Sequence, residues 1–149
     1  MNRNTIRRDY PDRPLVGVGG VIVQDGRVVV VKRATEPLKG RWSIPGGMLE
    51  LGEKLREGAA REALEETGLL VEAGEVLDVF DAIYVDPAGL TQYHYVLIDF
   101  LCRPVGGELR ASSDVTEAHW ASDAELDALG MTENTIKVIR KGLGRLTSQ

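Results

Sequence analysis

The sequence predicts an α+β fold in which a mixed, mainly antiparallel sheet is packed between helices. Three observations carry this expectation. Two β-branched runs joined by Asp-Gly open the chain as antiparallel strands. A single switch to helical periodicity follows between Lys54 and Thr67. Two long extended stretches then lead into C-terminal helices. The length of 149 residues fits one domain, residues 14–149, behind a basic arm at 1–13, and a composition of 43% apolar and 28% charged residues gives that domain a core to bury.

Leu15 to Val23 and Arg27 to Lys32 are the first two strands, turned by Gln24-Asp25-Gly26. Pro37 and Gly40 make Ala34 to Gly40 a loop, and Trp42-Ser43-Ile44 is a short extended piece ended by a turn at Pro45-Gly46-Gly47. The helix from Lys54 to Thr67 stops at Gly68, placed as a left-handed cap. Leu69 to Val85 and Thr91 to Arg103 form a second hairpin around Asp86-Pro87-Ala88-Gly89, and Glu117 to Ala121 is one more strand. Ser122 and Thr132 are N-caps for the two closing helices. The glycines of Gly17-Val18-Gly19-Gly20 do not make a dinucleotide fingerprint, because Ile22 stands where the third glycine belongs and no helix follows. Inside a strand they mark a close approach of backbone or ligand.

The charge balance narrows the partners. With 23 acids against 18 bases the net charge is −5, which argues against a duplex nucleic-acid binder. No run reaches the roughly 18 apolar residues of a membrane span, and the arm lacks the apolar region of a secretory signal. A lone Cys102 suits a reducing, cytoplasmic setting, and with two histidines it cannot build a zinc finger, so any metal must be held by oxygen. The basic arm is either a solvated tail or a strap against an anionic substrate or a second copy of the chain in a homodimer.

Chemistry concentrates between Gly47 and Leu69, which hold Glu50, Glu53, Glu57, Glu62, Glu65 and Glu66. On the helix Glu62, Glu65 and Glu66 fall within roughly 100° of one another. Ala60, Ala63, Leu64 and Thr67 centre on nearly the opposite side, which predicts a buried stripe of small residues with the acids facing away from the core. Arg61 can pair with Glu57 or reach back to Glu53, fixing carboxylates in direction. Pro45-Gly46-Gly47 offers bare backbone to a cation or phosphate. Carboxylates plus a carbonyl, completed by waters and a substrate phosphate, describe a magnesium or manganese site.

The segment GGMLELGEKLREGAAREALEETGL resembles the signature of the Nudix hydrolases, matched by Gly47, Glu53, Arg61, Glu62, Ala63, Glu65, Glu66, Gly68 and Leu69. Ala63 is the one departure, small where a bulkier aliphatic is commoner. The resemblance implies a Nudix-type α/β/α sandwich over about residues 14 to 147, with a catalytic loop-helix-loop and a C-terminal helix. It also implies Mg²⁺- or Mn²⁺-dependent hydrolysis of a nucleoside diphosphate linked to another moiety. ADP-ribose is the favoured small-molecule substrate, with a nucleoside triphosphate, or nucleotide binding without catalysis, as alternatives. By the same resemblance Glu62, Glu65 and Glu66 are metal ligands, the Gly47 carbonyl and Glu50 are additions, and Glu53 orients the helix through Arg61. The general base is Glu53, Glu62 or an acid of the loop before the last strand, Asp114 or Glu117. Alternation along Gln92 to Val96 puts Tyr93 and Tyr95 on one face and Gln92, His94 and Val96 on the other, and either face, like Trp42, is a candidate for stacking a base.

Overall fold

The computed structural model describes residues 7–112 and 115–147, so Asp114 and the first six residues of the arm lie outside the described residues. Its strands are β1 (Leu15–Gln24), β2 (Arg27–Arg33), β3 (Trp42–Ser43), β4 (Gly46–Met48), β5 (Leu69–Val85), β6 (Thr91–Gly107) and β7 (Val115–Ser122). Its helices are α1 (Leu55–Thr67), α2 (Asp123–Leu126), continued by a 3₁₀ turn at Asp127–Leu129, and α3 (Glu133–Thr147). The sheet runs β3-β2-β1-β6-β5, with β4 also paired to β1 and β7 to β2. β1 and β6 are parallel, and the remaining pairings are antiparallel, which gives the mixed sheet expected.

The turn chemistry accounts for the hairpins. Gln24 faces Arg27 across a two-residue loop in which Asp25 (φ 51°) and Gly26 (φ 75°) both adopt the positive φ that a type I′ turn demands. Between β5 and β6 the Asp86 carboxylate accepts from the backbone N–H groups of Ala88 and Leu90, both at 2.9 Å. At residues 9 and 10 the arm lies along this second hairpin: the Tyr10 N–H donates to the Gln92 carbonyl at 2.7 Å, and its hydroxyl donates to Asp86 at 2.6 Å.

Helices cover both faces. Val18 and Ile22 of β1, with Ile98, Phe100 and Cys102 of β6, point toward Ala59 and Ala63 of α1. Val21 and Val23, with Val28 and Val30 of β2, point toward Val138 and Ile139 of α3. Period-two alternation along β1 thus feeds two cores from one strand. The amphipathic α3 lies close on the second face, where a Cβ at its Gly142 would meet Val21 at 2.7 Å, Leu77 at 3.1 Å and Leu101 at 3.5 Å. Gly17 and Gly19 of β1, Phe80 and Ala82 of β5, and Tyr95 and Leu97 of β6 line a cavity together with Asn134 and Thr135 at the start of α3.

Two expectations require correction. Gly46–Met48 is not a terminating turn but a strand, with Gly46, Gly47 and Met48 opposite Gly19, Val18 and Gly17. A Cβ at Gly46 would lie 2.5 Å from the Val18 carbonyl oxygen, so glycine is what lets these backbones close. The buried stripe of α1 is also rotated from the expected one. It runs through Ala59, Ala63, Glu66 and Thr67, whereas Leu64 is 45% exposed. Glu66 lies on the buried side because a partner waits there: its Oε1 accepts the Gly46 N–H at 3.0 Å, which offsets the cost of desolvating the carboxylate.

Candidate active site

α1 ends at Gly68, whose φ of 77° and N–H bond to the Leu64 carbonyl make the left-handed stop anticipated from sequence. The helix presents Arg61 to everything that precedes it. The Arg61 Nε donates to Glu53 Oε2 at 2.6 Å and Nη2 to Glu53 Oε1 at 3.0 Å, a bidentate fork. Nη2 also donates to the Met48 carbonyl at 3.1 Å, while Nη1 donates to Glu62 at 2.9 Å and to Glu65 at 3.2 Å. Glu50 stands farther off, 3.7 Å from Nη1. Of the two partners the sequence offered Arg61, Glu53 is the one it holds. The bond from Arg61 is the main reason the Glu53 carboxyl is held below its ordinary range, and it raises the already high pKa of the guanidinium. Glu53 Oε1 also accepts the Glu50 N–H at 3.1 Å, so loop, strand β4 and helix α1 close on one guanidinium.

Glu62 and Glu66 border a cavity of about 440 Å³ whose lining also includes Gly46, Gly47 and Met48 of β4. Any side chain at Gly47 would collide with Glu62, since a Cβ there would sit 2.5 Å from the carboxyl carbon. The glycine therefore leaves an open cradle between β4 and the Glu62 carboxylate. Among the described residues no three acidic, histidine or cysteine side chains converge closely enough to hold a metal as they stand. Glu62 and Glu65 turn instead to Arg61. The set nonetheless fits a hard divalent ion in kind, because it offers only oxygen donors, from Glu62, Glu66, Glu65 and the backbone beside the cradle.

The remaining expected residues separate. Tyr95, 6% exposed, lines the cavity, and Tyr93 packs edge-on to Tyr84 with ring centroids 6.1 Å apart in the cluster around it. Trp42 is not in the cavity wall; it packs beside the α3 core and against His119, 5.5 Å between ring centroids. Glu117 is exposed, 3.1 Å from His119 and 3.7 Å from Lys32. Asp114 lies outside the described residues, but Val115, the next residue, lines the cavity. Cys102 is buried, and burial pushes its thiol up to about 12, as suits a packing residue.

Sequence reasoning missed Arg8, Tyr84 and Asp99, which all line the cavity. Asp99 is 5% exposed, and burial, with Asp78 adding repulsion, pushes its carboxyl up to about 7. The one available signal was an acid in an otherwise apolar strand, IDFL.

The sequence model of the NUDIX domain matches residues 13–142. The chain belongs to the NUDIX domain family. Among its Nudix relatives, an ADP-ribose pyrophosphatase of Methanocaldococcus jannaschii is 38% identical over 107 residues, covering 72% of this chain and 61% of that protein. A MutT-like protein of Streptomyces ambofaciens is 39% identical over 112 residues, covering 74% of this chain and 66% of that one. The match thus spans just under two thirds of these relatives' own length, or less. The crystal structure of a MutT NUDIX hydrolase from Burkholderia pseudomallei superposes with a TM-score of 0.71 at 28% identity, over 87% of this chain and 98% of the other. Among the described residues no helix is long and apolar enough to cross a membrane.

Proposed function

We propose that this Nudix chain is a Mg²⁺- or Mn²⁺-dependent pyrophosphohydrolase that cleaves a nucleoside diphosphate linked to another moiety, with an ADP-ribose-like substrate. The observation that carries this is the placement of Glu62, Glu66 and the Gly47 cradle at the edge of a cavity large enough for a small nucleotide. The name of the Methanocaldococcus jannaschii relative supports the choice of substrate.

Glu62, Glu65, Glu66 and the Gly47 carbonyl would hold the cation, with Glu50 beside them. The cation, when bound, neutralises phosphate oxygens and makes water a better nucleophile. The protein's own groups do the rest. Arg61 keeps Glu62 and Glu65 aimed, and Glu53 fixes Arg61. With both oxygens bonded and its pKa lowered, Glu53 is a positioning residue and a poor proton acceptor. The proton of the attacking water passes to Glu62 or to Asp114, whose neighbour Val115 lines the cavity. Water adds to one phosphorus, the bridging oxygen leaves with the other phosphate, and ADP-ribose yields AMP and ribose 5-phosphate. Tyr95, with Tyr93 and Tyr84 packed around it, supplies the aromatic wall for the nucleoside.

The test is a panel of ADP-ribose, nucleotide sugars, nucleoside triphosphates and dinucleoside polyphosphates, each with Mg²⁺ or Mn²⁺, with products separated to locate the broken bond. AMP plus ribose 5-phosphate from ADP-ribose as the fastest reaction supports the proposal. Faster release of pyrophosphate from nucleoside triphosphates would transfer it to that class. Asp114→Asn and Glu62→Gln then identify the base by which of the two flattens the rise of kcat with pH.

A further inference from the structure

Asp99 has no role in the acid cluster, yet it is the most conspicuous polar group of the cavity. It is 5% exposed, and among the described residues no hydrogen bond or ion pair reaches its carboxyl group. Nor is any buried side-chain oxygen of the described residues sealed from both solvent and partner, so the Asp99 oxygens open into the cavity that the residue lines. A buried acid left unpaired is costly in the free protein, which points to a partner that arrives with a ligand.

Its surroundings limit what that ligand can be. Asp99 lies beside Gly19 in parallel register, and Gly19 in turn faces Gly46 of β4. A Cβ at Gly19 would land on the Asp99 carboxylate, so the acid leans across bare backbone into the cavity. Tyr95 and Leu97 precede it on the same face of β6, and Phe80, Ala82 and Tyr84 of β5 complete a flat apolar wall. Asn134 and Thr135, at the start of α3, stand on the other side. The cavity therefore has an acidic border at Glu62 and Glu66, basic side chains at Arg8 and Arg33, and a β5–β6 wall of apolar and tyrosine side chains that ends at one buried acid, Asp99.

Resting on the nucleotide substrate proposed above, we propose that Asp99 reads the Watson–Crick edge of an adenine ring, accepting from its exocyclic amino group and donating to the adjacent ring nitrogen. A carboxylic acid carries one donor and one acceptor side by side, in the spacing that edge presents. Burial favours the protonated form needed to donate, and the cross-strand Asp78 pushes the same way. Guanine presents two donors on the same edge and would require an ionised carboxylate, which burial disfavours below about pH 7. Apolar walls on the ring faces provide stacking without selecting a base, and Asp99 is the buried acid at the end of the β6 wall that can select one.

The experiment is calorimetric binding of AMP, GMP, purine riboside 5′-monophosphate and ribose 5-phosphate to the full chain in Mg²⁺ buffer, with D99N and D99L alongside. The parent is expected to prefer AMP. Removing the amino group in purine riboside monophosphate should cost about tenfold or more, because the Asp99 acceptor is left unpaired. D99N keeps one donor and one acceptor and should hold AMP within about threefold, while D99L should lose about tenfold or more. Equal binding of AMP and purine riboside monophosphate by the parent overturns the inference, and that measurement depends on no variant. A preference for GMP that D99N abolishes overturns it as well. If the parent binds neither nucleotide more tightly than ribose 5-phosphate, the nucleotide reading of the cavity fails with it; AMP binding that is insensitive to the amino group removes the role of Asp99 alone.

Discussion

The Arg61 guanidinium grips Glu53 through two parallel hydrogen bonds, Nε to Oε2 at 2.6 Å and Nη2 to Oε1 at 3.0 Å. Its remaining nitrogen, Nη1, holds Glu62 and Glu65 at 2.9 and 3.2 Å. A planar fork is needed for this, because the loop acid and the helix acids approach it from different directions. Arg61 is thus a frame for the acid cluster.

Replacing that fork by a point charge keeps the net field and loses the alignment. Arg61→Lys should lower kcat by around a hundredfold, the scale of a misplacement of about 1 Å, with little change in KM. Michaelis analysis at saturating Mg²⁺ checks this. A normal kcat with a raised KM would place Arg61 on the substrate instead.

Glu65 and Glu66 should part company in stability, though both should lose activity as glutamines. Glu66→Ala strands the Gly46 N–H and should cost on the order of 1 to 3 kcal/mol, whereas Glu66→Gln keeps an acceptor and should be nearly neutral. Glu65, 49% exposed at its side chain, should tolerate either change within about 0.5 kcal/mol. Thermal melts in the presence of chelator measure the difference.

How far the sequence could be read follows the same physics. The Asp25-Gly26 turn, the Gly68 stop and the paired long strands were legible because local chemistry decides them. β4 was not, because a three-residue strand holding two glycines shows no periodicity and is created by its neighbour β1. The inward turn of Glu66 was hidden for a related reason: a helical wheel sorts residues by polarity, and here a backbone N–H on another strand overrides that sorting. The partners of Arg61 were narrowed to two by spacing, and the loop path chose Glu53. Asp99 was out of reach, since only the parallel register with Gly19 gives it a place to open.

Gly47→Ala tests the cradle. The added methyl cannot coexist with the present position of Glu62, 2.5 Å from the Cβ site to the carboxyl carbon, so Glu62 must move. Turnover should fall by on the order of a hundredfold while the melting temperature changes by only a few degrees. Turnover close to that of the parent would show that neither the Glu62 position nor the bare backbone at Gly47 matters.

Asp99 makes stability depend on pH in a stated direction. Its folded pKa, about 7, lies above the ordinary 3.8, so between those values the unfolded chain releases a proton that the folded chain keeps, and stability falls as pH rises. Below about pH 4 both forms are protonated and the penalty vanishes. Asp99→Asn should therefore be more stable than the parent at pH 8, on the order of 1 to 3 kcal/mol, with the gap closing on acidification toward pH 4. Denaturant melts across that range check the sign, and a gap that widens toward low pH contradicts it.

The proposed chemistry is hydrolysis of a pyrophosphate bond that depends on a divalent ion held by Glu62, Glu65 and Glu66. The most direct measurement is ADP-ribose turnover by the purified chain with Mg²⁺, with excess chelator, and with Mg²⁺ restored, on the parent and Glu66→Gln. AMP and ribose 5-phosphate should form with Mg²⁺, cease with chelator, return on repletion, and fall by orders of magnitude in Glu66→Gln. Undiminished cleavage in excess chelator, or parent-like turnover in Glu66→Gln, would contradict it.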